Sequence, residues 1–372
     1  MLKHFTILIC FALSAAAQHA AMRPIATSSE TVPLPESVEI PQSRSTLAVM
    51  HTRALRIVPL IHGKYAVLYD EGDEVHPRNV AAAIMRGSEN QPFGITANMV
   101  VPRDLRDGKL HGQIVDAAVL EDGKTLAAAA GLPVKGGANG IELFRLAQDD
   151  MPLPIRAIRL RGCVGGVAAG PAGTILALTY APGRGADGKV PLLTVLSREG
   201  VVLGELLPIA PADGCSNVDR SRIERVAANR YAIYDDSSAS VTFLSIAVNG
   251  KTRGRDADWI DAVYDDAPTA TATIEDVLDV SSLPADVHPQ NPPLVKAFHS
   301  VGDTVTLVRS LMDGSPNLVS IYRGALPPRT WRADAPWGCA FFEGDTLVAV
   351  TAPPPTIERG IEPRWQRVRF ER

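Results

Sequence analysis

The sequence predicts an all-β fold: a six-bladed β-propeller of four-stranded antiparallel blades, closed by an N-terminal strand that completes the last blade. Three observations predict it. Strand-length apolar runs follow one another along the chain, separated by turn residues such as Pro171-Ala172-Gly173 and Ser197-Arg198-Glu199-Gly200. A marker hairpin, in which a turn residue precedes a buried strand, occurs six times, with that residue at Gly63, Gly123, Gly173, Asn229, Gly302 and Gly344. Gly and Asn reach positive φ at least cost. The spacings of 60, 50, 56, 73 and 42 residues between these turns are those of a repeat architecture rather than of a sandwich.

Taken in order, residues 1–20 read as a signal peptide. Lys3 and His4 precede an apolar run over 5–13, and small residues follow at 15–17 and at Ala20. That run is shorter than the roughly 20 residues a membrane helix needs. No later stretch is longer and as apolar, so the expected mature chain is exported, periplasmic or secreted, with no transmembrane segment. Residues 21–45, rich in Pro, Ser, Thr and Glu, read as a flexible linker. The propeller domain is expected over 46–372, with the apolar run 46–50 supplying the closing strand. The last blade needs one, because only three strands are visible there, at 339–342, 346–351 and 365–370. Closure would remove two open sheet edges.

Blade one is expected to place strands at 55–61, 65–69, 80–85 and 95–101, and blade two to cover 113–160. Blade three reads as 162–169, 174–179, 192–196 and 201–206. Blade four has strands at 223–227, 231–234 and 241–248 and then loses its pattern near Gly254. Residues 254–293 read as an acidic insertion carrying Asp256, Asp258, Asp261, Asp265, Asp266, Glu275, Asp276 and Asp279. Within it Thr273 and Asp276 have capping-box spacing, which predicts a short helix over 274–282 ending before Pro284. Blade five follows at 294–298, 305–308, 318–322 and 329–332.

Composition bounds the function. An apolar content of 46% is enough for a large core, and a net charge of −4 offers no basic stripe for nucleic acid. Of four cysteines, Cys10 lies in the signal segment, leaving Cys163, Cys215 and Cys339. They form either one disulfide, with Cys163 and Cys215 as the pair, or three buried thiols. The Gly-rich stretch 136–140 joins two strands, so no helix N-terminus is there to hold phosphate. Asp256, Asp258 and Asp261 alternate as in a calcium loop but lack its sixth-position Gly and distal Glu. No catalytic residue, metal ligand or cofactor is assigned.

A propeller ligand is expected at one mouth of the central channel, among the connectors that lead into the innermost strands. These are 102–113, 160–165, 209–222, 284–294 and 332–339. The candidate ligand-binding residues are Asp213, Asn217 and Asp219 in the third, His111 in the first and Trp337 in the last. Arg103, Asp107, Cys215, Arg220, Arg222 and His288 lie beside them in sequence. Convergent Asp, Asn and His side chains could hold a divalent metal and activate water. Polar loops are equally what any surface carries.

Leu120-Glu121-Asp122-Gly123-Lys124-Thr125-Leu126-Ala127 and Gly170-Pro171-Ala172-Gly173-Thr174-Ile175-Leu176-Ala177 resemble the hairpin of TolB-like and lactonase-like propeller repeats. The resemblance implies the fold and leaves the activity open. The Trp-Asp dipeptide, the Tyr-Trp-Thr-Asp motif and a quinone-docking motif are absent. The Glu, two Asn and Asp metal ligands of gluconolactonase-like enzymes have no matching positions. The expected function is a non-enzymatic exported binding or scaffold module that meets a protein or envelope component through its loop face. The alternative is a metal-dependent hydrolase or lactonase with its site at the channel mouth.

Overall fold

The structure is a computed structural model. It describes residues 31–33, 35, 37–40, 53–59, 64–70, 80–88, 91–95, 112–133, 139–146, 152–160, 162–180, 190–209, 221–236, 238–249, 269–287, 293–311, 316–324, 326–334, 336–351 and 364–370. Two strands come first, β1 (Thr31–Pro33) and β2 (Ser37–Ile40). Next, β3 (Arg53–Pro59), β4 (Lys64–Asp70), β5 (Val80–Ser88) and β6 (Gln91–Ile95) pair in sequence order. The following sheet is β7 (Gly112–Val119), β8 (Thr125–Pro133), β9 (Asn139–Leu146) and β10 (Pro152–Leu160). After it come β11 (Cys163–Ala169), β12 (Ile175–Tyr180), β13 (Val190–Leu196) and β14 (Val202–Ile209). Then β15 (Arg222–Arg225), β16 (Arg230–Asp235), β17 (Ser240–Asn249) and β18 (Thr269–Asp279) form another sheet.

The last two sheets also take up the N-terminal strands. In the first, β19 (Leu294–Val301), β20 (Thr304–Ser310), β21 (Leu318–Arg323) and β22 (Arg329–Arg332) are antiparallel. Strand β1 adds to β22 in parallel, with Thr31 opposite Thr330. In the second, β23 (Trp337–Glu343), β24 (Thr346–Thr351) and β25 (Arg364–Arg369) are joined by β2, antiparallel to β25 with Ser37 opposite Val368. The first strands of these sheets neighbour one another in the cyclic order β3, β7, β11, β15, β19, β23 and back to β3, so they surround a common axis.

Several expectations are corrected. Five sheets are four-stranded and antiparallel, not six, because β1 makes the β19–β22 sheet five-stranded. The strand on β25 comes from 37–40, inside the segment read as a flexible linker, whereas 46–50 lies outside the described residues. Ser37-Val38-Glu39-Ile40 does alternate with period two, but four residues between prolines give too short a signal. The fourth strand of the β3 sheet lies at 91–95 rather than 95–101. The expected helix over 274–282 is part of β18, so the presumed insertion contains the fourth strand of its sheet. Thr269, Thr271, Thr273 and Glu275 face solvent while Ala270 is buried, an alternation only a strand explains. β-Branched Thr at every second position and a ladder running from Ser240 opposite Asp279 to Asn249 opposite Thr269 outweigh a capping-box spacing.

Neighbouring sheets pack face to face. Leu176, Leu178, Leu193 and Val195 meet Tyr231, Ile233 and Leu244 from the next sheet. Each such buried aliphatic contributes on the order of 1.5–3 kcal/mol. Tyr231 is fully buried, and its hydroxyl donates to Ala169 O at 3.1 Å across the gap. Burial pushes that hydroxyl up to about 12, against the opposing pull of Arg225.

Gly123, Gly173, Gly302 and Gly344 take positive φ as their hairpins require. Asn229 does not, since Ala172 and Ala239 are the non-glycine residues with positive φ among those described. Its hairpin closes instead through reciprocal backbone bonds between Ala227 and Arg230. Ala172, at φ 54, stands beside left-handed Gly173 and carries a Cβ where none is favoured. Ala172→Gly is therefore expected to raise stability by about 0.5–1 kcal/mol, read as a higher denaturant midpoint at unchanged slope.

Candidate functional site

The connector face is where the sequence places a ligand, and the structure describes little of it. Asp213, Asn217, Asp219 and His111 lie outside the described residues, as do Arg103, Asp107, Cys215, Arg220 and His288. Trp337 opens β23 and is only 3% exposed, packed with Ala297, Val308 and Leu347 between two sheets. Its backbone N–H donates to Asn317 Oδ1 at 2.8 Å, and Asn317 O accepts from Ala333 N at 2.9 Å. The indole thus forms part of the wall behind the mouth and is not presented at its surface. Arg222 is buried too, donating from Nη1 to Ser221 O at 2.8 Å. Cys163 is disulfide-bonded, with its partner outside the described residues, and Cys339 is a buried thiol, so the three-thiol alternative is set aside.

The opposite mouth is well described. There the hairpins that follow the innermost strands bring charged side chains from several sheets together. Glu121, in the β7–β8 turn, accepts from Gly173 N at 2.9 Å through Oε2 and pairs with Arg225 Nη2 at 2.7 Å through Oε1. Arg225, the last residue of β15, is held by Ala227 O and Ala228 O. Beside it Glu224 accepts from Ser300 N at 2.7 Å and lies 2.6 Å from His299 Nδ1. His299, near the end of β19, directs Nε2 towards Asp345 Oδ1 at 3.6 Å and stacks on Phe342 at 4.8 Å. The result is an arc of charged and polar side chains drawn from the β7, β15, β19 and β23 sheets.

Further out, Arg230 bridges Glu275 at 2.6 Å and Asp303 at 2.8 Å. The Ser245 hydroxyl and Arg230 hold the Glu275 carboxyl below the usual range. Asp122 accepts from Thr125 Oγ1, Lys124 N and Thr125 N, and pairs with Arg198 at 3.0 Å. Burial alone would raise its carboxyl, but those hydrogen bonds and Arg198 outweigh it and leave it lowered. A carboxylate with a depressed folded value stabilises above its unfolded value and loses that contribution as pH falls. The wild-type thermal midpoint is therefore expected to drop more than that of Asp122→Asn between about pH 5 and pH 3.

Chemically, a carboxylate-held imidazole can store and hand on a proton. Among the described residues no group of three or more His, Cys, Asp or Glu is placed to hold a metal ion. Sequence reasoning missed this arc. The available signal was a polar residue near the end of successive innermost strands, at Glu224 and His299, where apolar packing alone would be expected.

Comparison with known proteins bears on the fold. A protein of Bacteroides fragilis described as exported superposes with a TM-score of 0.53 at 9% identity, covering 94% of this chain and 98% of its own. The Pseudomonas aeruginosa periplasmic gluconolactonase superposes with a TM-score of 0.50 at 12% identity, covering 85% and 88%. The chain is a β-propeller. Identities this low carry the propeller fold and nothing of either protein's activity. No protein-family model matches the chain, and no curated protein matches it by sequence. Among the described residues, no helix of the propeller is long and apolar enough to cross a membrane.

Proposed function

We propose that the chain is an exported propeller acting as a binding or scaffold module, and that its connector face meets a protein or envelope component. In this reading β2 on β25 is the closing strand. The observation that carries the binding role is the engagement of charged groups at the described mouth with neighbouring blades. Glu121 holds Gly173 and Arg225, and Glu224 holds His299 and Ser300. Groups so engaged fasten blades together, which leaves recognition to the opposite connectors carrying Asp213, Asn217, Asp219 and His111. Likeness of fold to an exported and a periplasmic protein supports the compartment.

The alternative is a metal-dependent hydrolase or lactonase at the connector mouth, which requires several of Asp213, Asn217, Asp219, His111 and His288 to converge on one ion. Two measurements separate the readings. Thermal melts with chelator, and with calcium, magnesium, manganese or zinc restored, report any native-state metal through mass action. Saturable binding to isolated envelopes, lost in a combined Asp213→Ala, Asn217→Ala, Asp219→Ala variant that still folds, is the expected result, with no metal-dependent shift. A reproducible metal-dependent rise in midpoint together with hydrolysis of a simple lactone would overturn the binding role.

A further inference from the structure

We propose that Asn317 and Trp337 hold one internal water at the head of β23, in a binding site for a single oxygen acceptor between the β19 and β23 sheets. Asn317 immediately precedes β21, and Trp337 opens the innermost strand of the next sheet. Both are closed off from solvent, at 0% and 3% exposure. The Trp337 backbone N–H can only donate, so the amide oxygen of Asn317 faces it, at 2.8 Å. That choice turns the amide Nδ2 the other way, with its hydrogens still to place. Among the described residues neither Asn317 Nδ2 nor Trp337 Nε1 meets an acceptor. Buried donors of this kind are normally satisfied, by protein or by ordered water.

Two unmet donors on residues already bonded to each other define the chemistry of the occupant. It accepts hydrogen bonds, and it is small enough to lie between side chains that solvent does not reach. Neither residue carries a charge, so the site suits a neutral oxygen over a carboxylate, whose burial needs a paired cation. A water meets these terms and makes about three hydrogen bonds when buried. Its third bond has a source at the same point. The ladder from β23 to β24 slips between Trp337 and Cys339, leaving the intervening residue outside the pairing. A backbone carbonyl there takes one of the water's hydrogens. The water thus joins the amide, the indole and the bulge, and pins the start of β21 to the first residue of the neighbouring innermost strand. This holds whatever the connector mouth binds.

A crystal structure fine enough to show ordered water tests this directly. One oxygen is expected about 2.7–3.2 Å from both Asn317 Nδ2 and Trp337 Nε1. A double-mutant cycle through Asn317→Leu, Trp337→Phe and the combined variant, unfolded in denaturant, gives a solution readout. Each single variant loses the same water, so the combined loss in folding constant should fall short of the product of the single losses by about tenfold. The direct bond from the Trp337 backbone to Asn317 Oδ1 is lost in both chains carrying Asn317→Leu and cancels from the cycle. Should a member of the cycle not fold, the crystal structure decides alone. Separate acceptors for the two donors, a protein or additive group in the place of the water, or single losses that simply multiply would overturn the site.

Discussion

Replacing Cys163 by Ser lowers stability by about 4 kcal/mol in the chain-entropy picture of a cross-link. Cys163 opens β11, is fully buried and is disulfide-bonded. Cys339 is a buried thiol and Cys10 falls in the expected signal peptide, so Cys215 is the expected partner. The loop so closed spans 52 residues, and cutting it restores that freedom to the unfolded chain. The variant also leaves a hydroxyl among Leu176, Leu178 and Ile223. A Cys163–Cys215 link would tie the 209–222 connector, with Asp213, Asn217 and Asp219, to the start of an innermost strand. Denaturant unfolding should show a loss for both Cys163→Ser and Cys215→Ser relative to wild type, the larger one for Cys163→Ser, and a non-reducing peptide map should join the two peptides. Cys163 joined to another cysteine, or a midpoint untouched by reductant, would rule the link out.

Truncating Arg309 is the second large effect, with Arg309→Ala expected to cost about 3 kcal/mol. The side chain is 4% exposed at the connector end of β20. Its Nη1 donates to Ser282 O at 3.2 Å, and its Nη2 to Val280 O and to the Tyr322 hydroxyl. The guanidinium also lies over the Tyr322 ring at 5.6 Å. One planar fork thereby holds the segment after β18 onto the next blade, and removing it takes the donor from Ser282 O and leaves Val280 O with the Tyr322 hydroxyl alone, at 3.3 Å. Arg309→Lys should recover only part of the loss, because a point charge does not span the same acceptors. Full recovery with Lys, or a loss below about 1 kcal/mol for Ala in the same denaturant series, would contradict this role.

Much of the fold was legible because its signals are local. A Gly at a hairpin turn and an apolar run beside it need no knowledge of the rest of the chain, and Gly123, Gly173, Gly302 and Gly344 behave as read. The misreadings share one cause, a dependence on distant partners. Strand β18 is specified by the ladder to β17 across an intervening segment, which a window centred on Thr273 does not see. Strands β1 and β2 are strands because β22 and β25 offer them edges some three hundred residues away. The hairpin-mouth arc is as remote: Glu224 and His299 are 75 residues apart, and nothing near either residue names the other. Of the residues expected at the connector mouth, Trp337 illustrates the limit, since an aromatic at a loop boundary reads the same whether it faces a ligand or the core.

The pairing of β2 with β25 has a consequence for how the molecule comes into being. Residues 37–40 cannot find their partner until residues 364–369 have been synthesised, so a strand made early waits for one made more than three hundred residues later. Contacts of such sequence separation close slowly, because the loop entropy is met before any contact repays it. Until then β24, the neighbour of the missing β25, presents a bare edge, the kind of surface on which other chains aggregate. A nascent chain lacking its final strand is thus the state most in need of protection, and a chain shortened by its last ten residues would be more hazardous to its cell than one merely unstable.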